Sequence, residues 1–177
     1  MIIEAQNERV RAALGGDIES FGRLCGHYYS PLVAIAYGVL GDHQLAEDAA
    51  QEAFARALVS LGKLRKPNKF GPWLARICRN VAIDMARTRL RKMSDAEGVV
   101  REAGRDEAAL QTVRQAIDGL PASMKDVVLL RYYDNCSYEQ IADVLGLSRT
   151  VVNGRLTRAK RKLAKQLRRQ GVLENIL

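Results

Sequence analysis

The sequence predicts an all-α protein made of two small helical domains joined by a flexible linker. Three observations lead there. Apolar residues recur at helical spacing through most of the chain, between capping residues and glycine stops. Residues 93–107 break that period and carry five acids against two cations, Arg101 and Arg105, which reads as an extended acidic linker. Ser137 to Arg169 then show two helical patterns broken by one tight turn, a helix-turn-helix pattern. No strand alternation of consequence and no internal repeat appears.

Residues 2–14 read as a short amphipathic helix ending at Gly15-Gly16. Asp17 is placed to cap a second helix through about Tyr29, with Phe21, Leu24 and Cys25 inward. Pro31 suits the first turn of a third helix, closed by Gly41. A longer helix follows, capped by Asp42 and ending near Leu61-Gly62, with Leu45, Ala49, Phe54 and Leu58 as its buried stripe. Glu47, Asp48, Gln51 and Glu52 form an acidic and amide patch on its other side. By charge alone that patch reads as a solvated face with acids near a helix N-terminus.

Residues 62–72 read as a loop, punctuated by Pro67, Gly71 and Pro72 and carrying Lys63, Arg65, Lys66 and Lys69. The helix predicted from Trp73 to about Lys92 sets Leu74, Ile77, Cys78, Val81 and Met85 to the core, Trp73 being read as core too. Arg76, Arg79, Arg87, Arg89, Arg91 and Lys92 give it a basic surface, with Asn80 and Asp84 interspersed. Beyond the linker come a helix over about 108–119 and another from Pro121 that carries Val127, Val128 and Leu130.

In the helix-turn-helix, Ser137 and Gln140 make a capping-box pattern, and Ile141, Val144 and Leu145 an apolar stripe. Gly146 sits where the first helix must stop in a left-handed turn, and Ser148 can cap the second. From Arg149 to Arg169 that second helix holds nine cations and no acid. A solvated face normally mixes signs, so a one-signed helix repels itself unless a polyanion neutralises it. DNA phosphates meet that need, and the first turns of such a helix can reach base edges in the major groove. The alternative is a structural helix pair with a basic tail.

Composition supports an acidic partner: 177 residues carry a formal charge of +8. The longest clean apolar run, Leu32 to Leu40, is too short to span a bilayer, and the N-terminus lacks a signal-peptide pattern. Cys25, Cys78 and Cys136 are isolated and odd in number, which argues for a reducing, cytoplasmic setting. His27 and His43 form no cluster with them, so no metal, cofactor or catalytic site is expected, and no enzyme.

Three runs together resemble a known family: AEDAAQEAFARAL, FGPWLARICRNVAIDMARTRLRK and LPASMKDVVLLRYYDNCSYEQIADVLGLS. In order and spacing they are similar to the extracytoplasmic-function sigma factors of bacterial RNA polymerase, over about residues 18–167. The resemblance implies region 2 in residues 1–92, the linker in 93–107 and region 4 in 108–177. It implies that Asp48, Gln51 and Glu52 contact the clamp helices of the polymerase's largest subunit, supported from within by Phe54, with the flap as a further polymerase contact. It implies −10 binding by Arg76, Arg79, Asn80, Asp84 and Arg87, with Lys63, Arg65, Lys66 and Lys69 on a loop that takes an extruded base. It implies −35 duplex reading by Ser148, Arg149, Thr150, Asn153, Arg155, Thr157 and Arg158, and an anti-sigma factor as a regulatory partner. The linker resembles the segment that enters the polymerase cleft.

One departure stands out. The family's usual Gly-Thr-Val-Lys/Arg-Ser-Arg is here Thr150-Val151-Val152-Asn153-Gly154-Arg155. Asn153 replaces a cation and Gly154 a serine, which predicts an unusual or weak −35 preference with Arg149, Arg155 and Arg158 mainly on phosphates. An autonomous helix-turn-helix regulator is the competing reading, but it leaves the α-helical acidic patch and the second basic helix unexplained. A sigma mimic lacks its receiver domain here, and a membrane-surface role for the basic tail ranks lower still.

Overall fold

The computed structural model describes residues 2–94 and 105–170, and helices account for most of them. The first bundle comprises α1 (Ile2–Leu14), α2 (Ile18–Leu40), α3 (His43–Ser60) and α4 (Phe70–Ser94), with two short 3-10 turns at Leu61–Lys63 and Pro67–Lys69. The second comprises α5 (Arg105–Asp118), α6 (Ala122–Tyr132), α7 (Tyr138–Leu145) and α8 (Arg149–Arg169). Helical backbone thus enters both ends of the segment read as a linker; its middle, 95–104, and the apolar tail Leu173 to Leu177 lie outside the described residues.

The caps are those the residue types dictate. Asp17 accepts from the amides of Glu19 and Ser20 at 3.0 and 3.3 Å, and Asp42 from Leu45 at 3.1 Å. Gly41 closes α2 with φ 65°, its amide donating to Tyr37 at 2.8 Å. α2 is one helix, however, not two. Pro31 lies inside it, buried, where the ring removes one intrahelical bond at a cost of about 3 kcal/mol. Leu24 and Tyr28 before it, and Leu32, Ala34, Ile35 and Ala36 after it, all bury in one core. Each large side chain contributes about 1.5–3 kcal/mol, which outweighs the break.

The stripe of α3 also differs from expectation. Ala46, Ala49, Ala50, Ala53 and Ala57 are fully buried, Phe54 nearly so, and Leu58 is 45% exposed. A row of methyl groups lets α3 lie close against α2 and α4, and Leu58, a residue past Ala57, is rotated out by about 100°. Trp73 is half-buried against Phe70, with ring centroids 5.8 Å apart, and takes the core role expected of it.

The two bundles pack on each other, α2 against α6 and α4 against α7. A single set of buried apolar side chains runs through both, from Val10 to Ala159. No described helix is long and apolar enough to cross a membrane.

Candidate functional site

On α3, Asp48, Gln51 and Glu52 are exposed and share a face within about one turn. Glu52 pairs with Arg56 at 2.7 Å, which in turn lies 3.9 Å from Asp84 on α4. Phe54 sits beneath, in the core. The same helix ends in Val59, 90% exposed, beside Leu58. Sequence reasoning missed this apolar extension because Leu58 was assigned inward; the spacing 48, 52, 55, 59 is the signal that finds it. The face is therefore acidic at one end and apolar at the other, a combination suited to a protein surface.

The loop before α4 alternates anchors with cations. Leu61, Leu64 and Phe70 are buried, while Lys63, Arg65, Lys66 and Lys69 point to solvent. Amides of Leu64 and Lys69 close the two 3-10 turns at 2.9 Å each. Along α4, Arg76, Asn80, Asp84 and Arg87 are exposed and fall within one helical face. Arg79 is not with them. It is turned toward α6, where its guanidinium meets the Asp126 carboxylate at 2.5 Å.

The helix-turn-helix forms as read. Ser137 Oγ accepts from Gln140 N at 3.2 Å while Gln140 Oε1 accepts from Ser137 N at 2.7 Å, a reciprocal capping box. Gly146 adopts φ 65°, ψ 36°, the left-handed turn that a side chain resists. Ser148 caps α8 by accepting from Val151 N at 3.3 Å. Ile141, Val144, Val152, Leu156 and Ala159 lock α7 and α8 together. This leaves Ser148, Arg149, Thr150, Asn153, Thr157 and Arg158 on the outer face, with Arg155 half-buried at its edge. Arg149 pairs with Glu139 at 2.9 Å, and Arg158 Nε donates to the Gly154 carbonyl at 3.1 Å. Val151, 40% exposed beside Thr150, adds an apolar contact of the kind that meets a thymine methyl.

At Gly154 a Cβ would meet only the tip of Arg158, 3.9 Å away. The glycine is therefore not required by packing, and it weakens α8 by about 0.5–1 kcal/mol relative to alanine. Gly154→Ala is expected to raise the Tm by about 1–4 °C in a thermal melt.

All three cysteine thiols are shifted away from the thiolate form. Burial pushes Cys78 up to about 12, and burial together with the Asp134 carboxylate raises Cys136; Cys25 is raised by burial as well. Among the described residues no group of His, Cys, Asp or Glu is arranged to hold a metal.

Two family models match the chain in order: sigma-70 region 2 over residues 24–103 and sigma-70 region 4 over residues 110–163. The ECF RNA polymerase sigma factor SigW of Bacillus subtilis is 30% identical, over 91% of this chain and 96% of its own. The RNA polymerase sigma-H factor of Pseudomonas aeruginosa is 29% identical, over 94% of this chain and 96% of its own. Among solved structures, CnrH in complex with the cytosolic domain of CnrY superposes with a TM-score of 0.60 at 28% identity, covering 92% of this chain and 97% of that one. With both regions in sequence and a relative matched along nearly its whole length, the chain belongs to the extracytoplasmic-function sigma factors of the sigma-70 family.

Proposed function

We propose that the chain binds core RNA polymerase through α3 and directs it to promoters that carry −10 and −35 elements. Residues 1–92 act as the polymerase- and −10-binding domain, 93–107 as a connector and 108–177 as the −35-binding domain. The observation that carries this reading is the segregation of exposed side chains. Asp48, Gln51 and Glu52 continue into Val59 on α3, the loop cations and the Arg76–Arg87 face lie on the loop and α4, and an acid-free cationic helix follows a capped turn. Each surface fits one partner: a protein face, a single strand and a duplex.

An anti-sigma factor is the proposed regulatory partner. CnrH forms a complex with the cytosolic domain of CnrY, and this chain has an open cleft of about 990 Å³ between its bundles, lined by Tyr37, Val113, Ile117, Leu129 and Tyr133. A cleft of that size and apolar character suits an inserted helix.

Nuclease footprinting on a target promoter tests the reading. Core polymerase and the chain together are expected to protect two separated elements that neither protects alone. Protection by the chain alone, unchanged on adding polymerase, would instead favour the autonomous regulator. In the same assay Asn153→Arg is expected to strengthen −35 protection by about 1–3 kcal/mol and shift preference from adenine toward guanine at one position. No change in strength or preference would remove Asn153 from the reading face.

A further inference from the structure

The cations of α8 do not stop where its reading face does. Base edges in the major groove are reached by the first turns of such a helix, here Arg149 to Arg158, about 15 Å of its length. The helix runs on to Arg169, so about another 15 Å extends past a groove that is only about 12 Å wide. That second half carries Arg161, Lys162, Lys165, Arg168 and Arg169, all exposed. Lys160 is turned back instead, its ammonium 5.6 Å from the centre of the Tyr132 ring.

Helical spacing joins both halves into one stripe. Val152, Leu156, Ala159 and Leu163 face the core. Opposite them Thr150, Gly154, Arg158, Arg161, Lys165 and Arg168 follow at intervals of three or four. The later cations therefore lie along the face that already meets DNA. Asp118 pairs with Lys125, Asp126 with Arg79 and Glu139 with Arg149, and no carboxylate among the described residues pairs with the stripe. Like charges at such intervals oppose the helix. Attraction to the helix C-terminus offsets this for Arg168, in the last turn, but not for Arg158 or Arg161, two turns or more before the end.

We infer that the second half of α8 is a phosphate track: Arg161, Lys165 and Arg168, flanked by Lys162 and Arg169, hold the backbone of duplex DNA beside the −35 element, whatever its sequence. The inference rests on the −35 reading of α8 given above. At 3.4 Å per base pair, the track covers about four or five pairs. It also accounts for how the helix works with Asn153 and Gly154. Those residues leave the reading turns short of charge, and phosphate contacts further along restore attraction without base preference. A duplex is favoured over an acidic protein surface on two grounds. The stripe begins on the reading face, and past Val151 the described part of α8 exposes no large apolar side chain of the kind that anchors a protein contact.

The test uses holoenzyme, the full chain with sigma-free core polymerase, on a target promoter. Arg161→Gln, Lys165→Gln and Arg168→Gln together remove charge and keep good helix formers at exposed positions, so the thermal melt should match the wild type. Hydroxyl-radical footprinting of the wild type should show about four or five protected pairs flanking the −35 element, and the triple variant should lose them. The salt slope of binding should fall by about 2.7, at about 0.9 per phosphate contact. Changing the −35 sequence should weaken both proteins alike. Flanking protection absent from the wild type, or retained in the variant with its slope unchanged, would overturn the track. Protection lost inside the −35 element instead would place these cations on the element and overturn it as well. An unchanged footprint and slope with lost run-off transcription would assign the stripe to an acidic protein surface. Indifference of both proteins to the −35 sequence would sink the −35 reading of α8 itself.

Discussion

Reversing the charge at Asp48 and Glu52 to lysine is expected to weaken binding to core polymerase at least about 100-fold, a loss of 2.7 kcal/mol or more. Two anchors at the centre of a protein interface commonly cost about 2 kcal/mol each when truncated, and like charge adds repulsion to truncation. The fold itself should hardly respond. Both side chains are exposed, and the Glu52–Arg56 pair is a half-exposed i,i+4 contact worth at most about 0.5 kcal/mol. A matched thermal melt separates lost binding from lost folding. Val59→Asp should weaken the same complex, because the apolar end of α3 is fully available to a partner. Wild-type affinity in the double reversal would place the polymerase contact elsewhere.

The second large effect is expected at the loop. Replacing Lys63, Arg65, Lys66 and Lys69 with alanine should lower the salt slope of promoter binding by the holoenzyme by about 0.7 per cation, near 2.8 in all. At physiological salt that slope corresponds to about two decades of affinity for the melted strand. The loop should keep its shape, since Leu61, Leu64 and Phe70 anchor it from below and the four cations are exposed. A titration from low to high salt reads the slope directly. An unchanged slope would mean that these cations do not meet phosphates.

How much of this was legible before the structure depends on the range of the interaction concerned. Caps and the turn are local chemistry, so Asp17, Asp42, Ser137 with Gln140, Gly146 and Ser148 all act as their types and spacing indicate. The exposed cations of α8 follow from the buried trio Val152, Leu156 and Ala159, which fixes the helix's rotation. Misreadings arose where tertiary packing overrides a local rule. Pro31 is a helix starter by propensity, yet burial on both sides carries α2 straight through it. Leu58 outranks alanine in hydrophobicity, yet close helix approach buries the alanines and leaves the leucine outside.

The seam between bundles was not legible at all. Gln6, Tyr28, Asp126 and Asp143 sit far apart in sequence, and each is an ordinary residue for an amphipathic helix. Their meaning comes only from the distances that bring them together. Arg79 illustrates the point: the family resemblance implies a DNA contact there, and only the structure reveals the carboxylate already against it.

Run-off transcription with sigma-free bacterial core polymerase, the purified chain and a genomic promoter library tests the central claim most directly. Initiation at a discrete set of promoters, dependent on the chain and lost on charge reversal of Asp48 and Glu52, is the predicted result. Absence of initiation, with tight sequence-specific DNA binding by the chain alone, would contradict it.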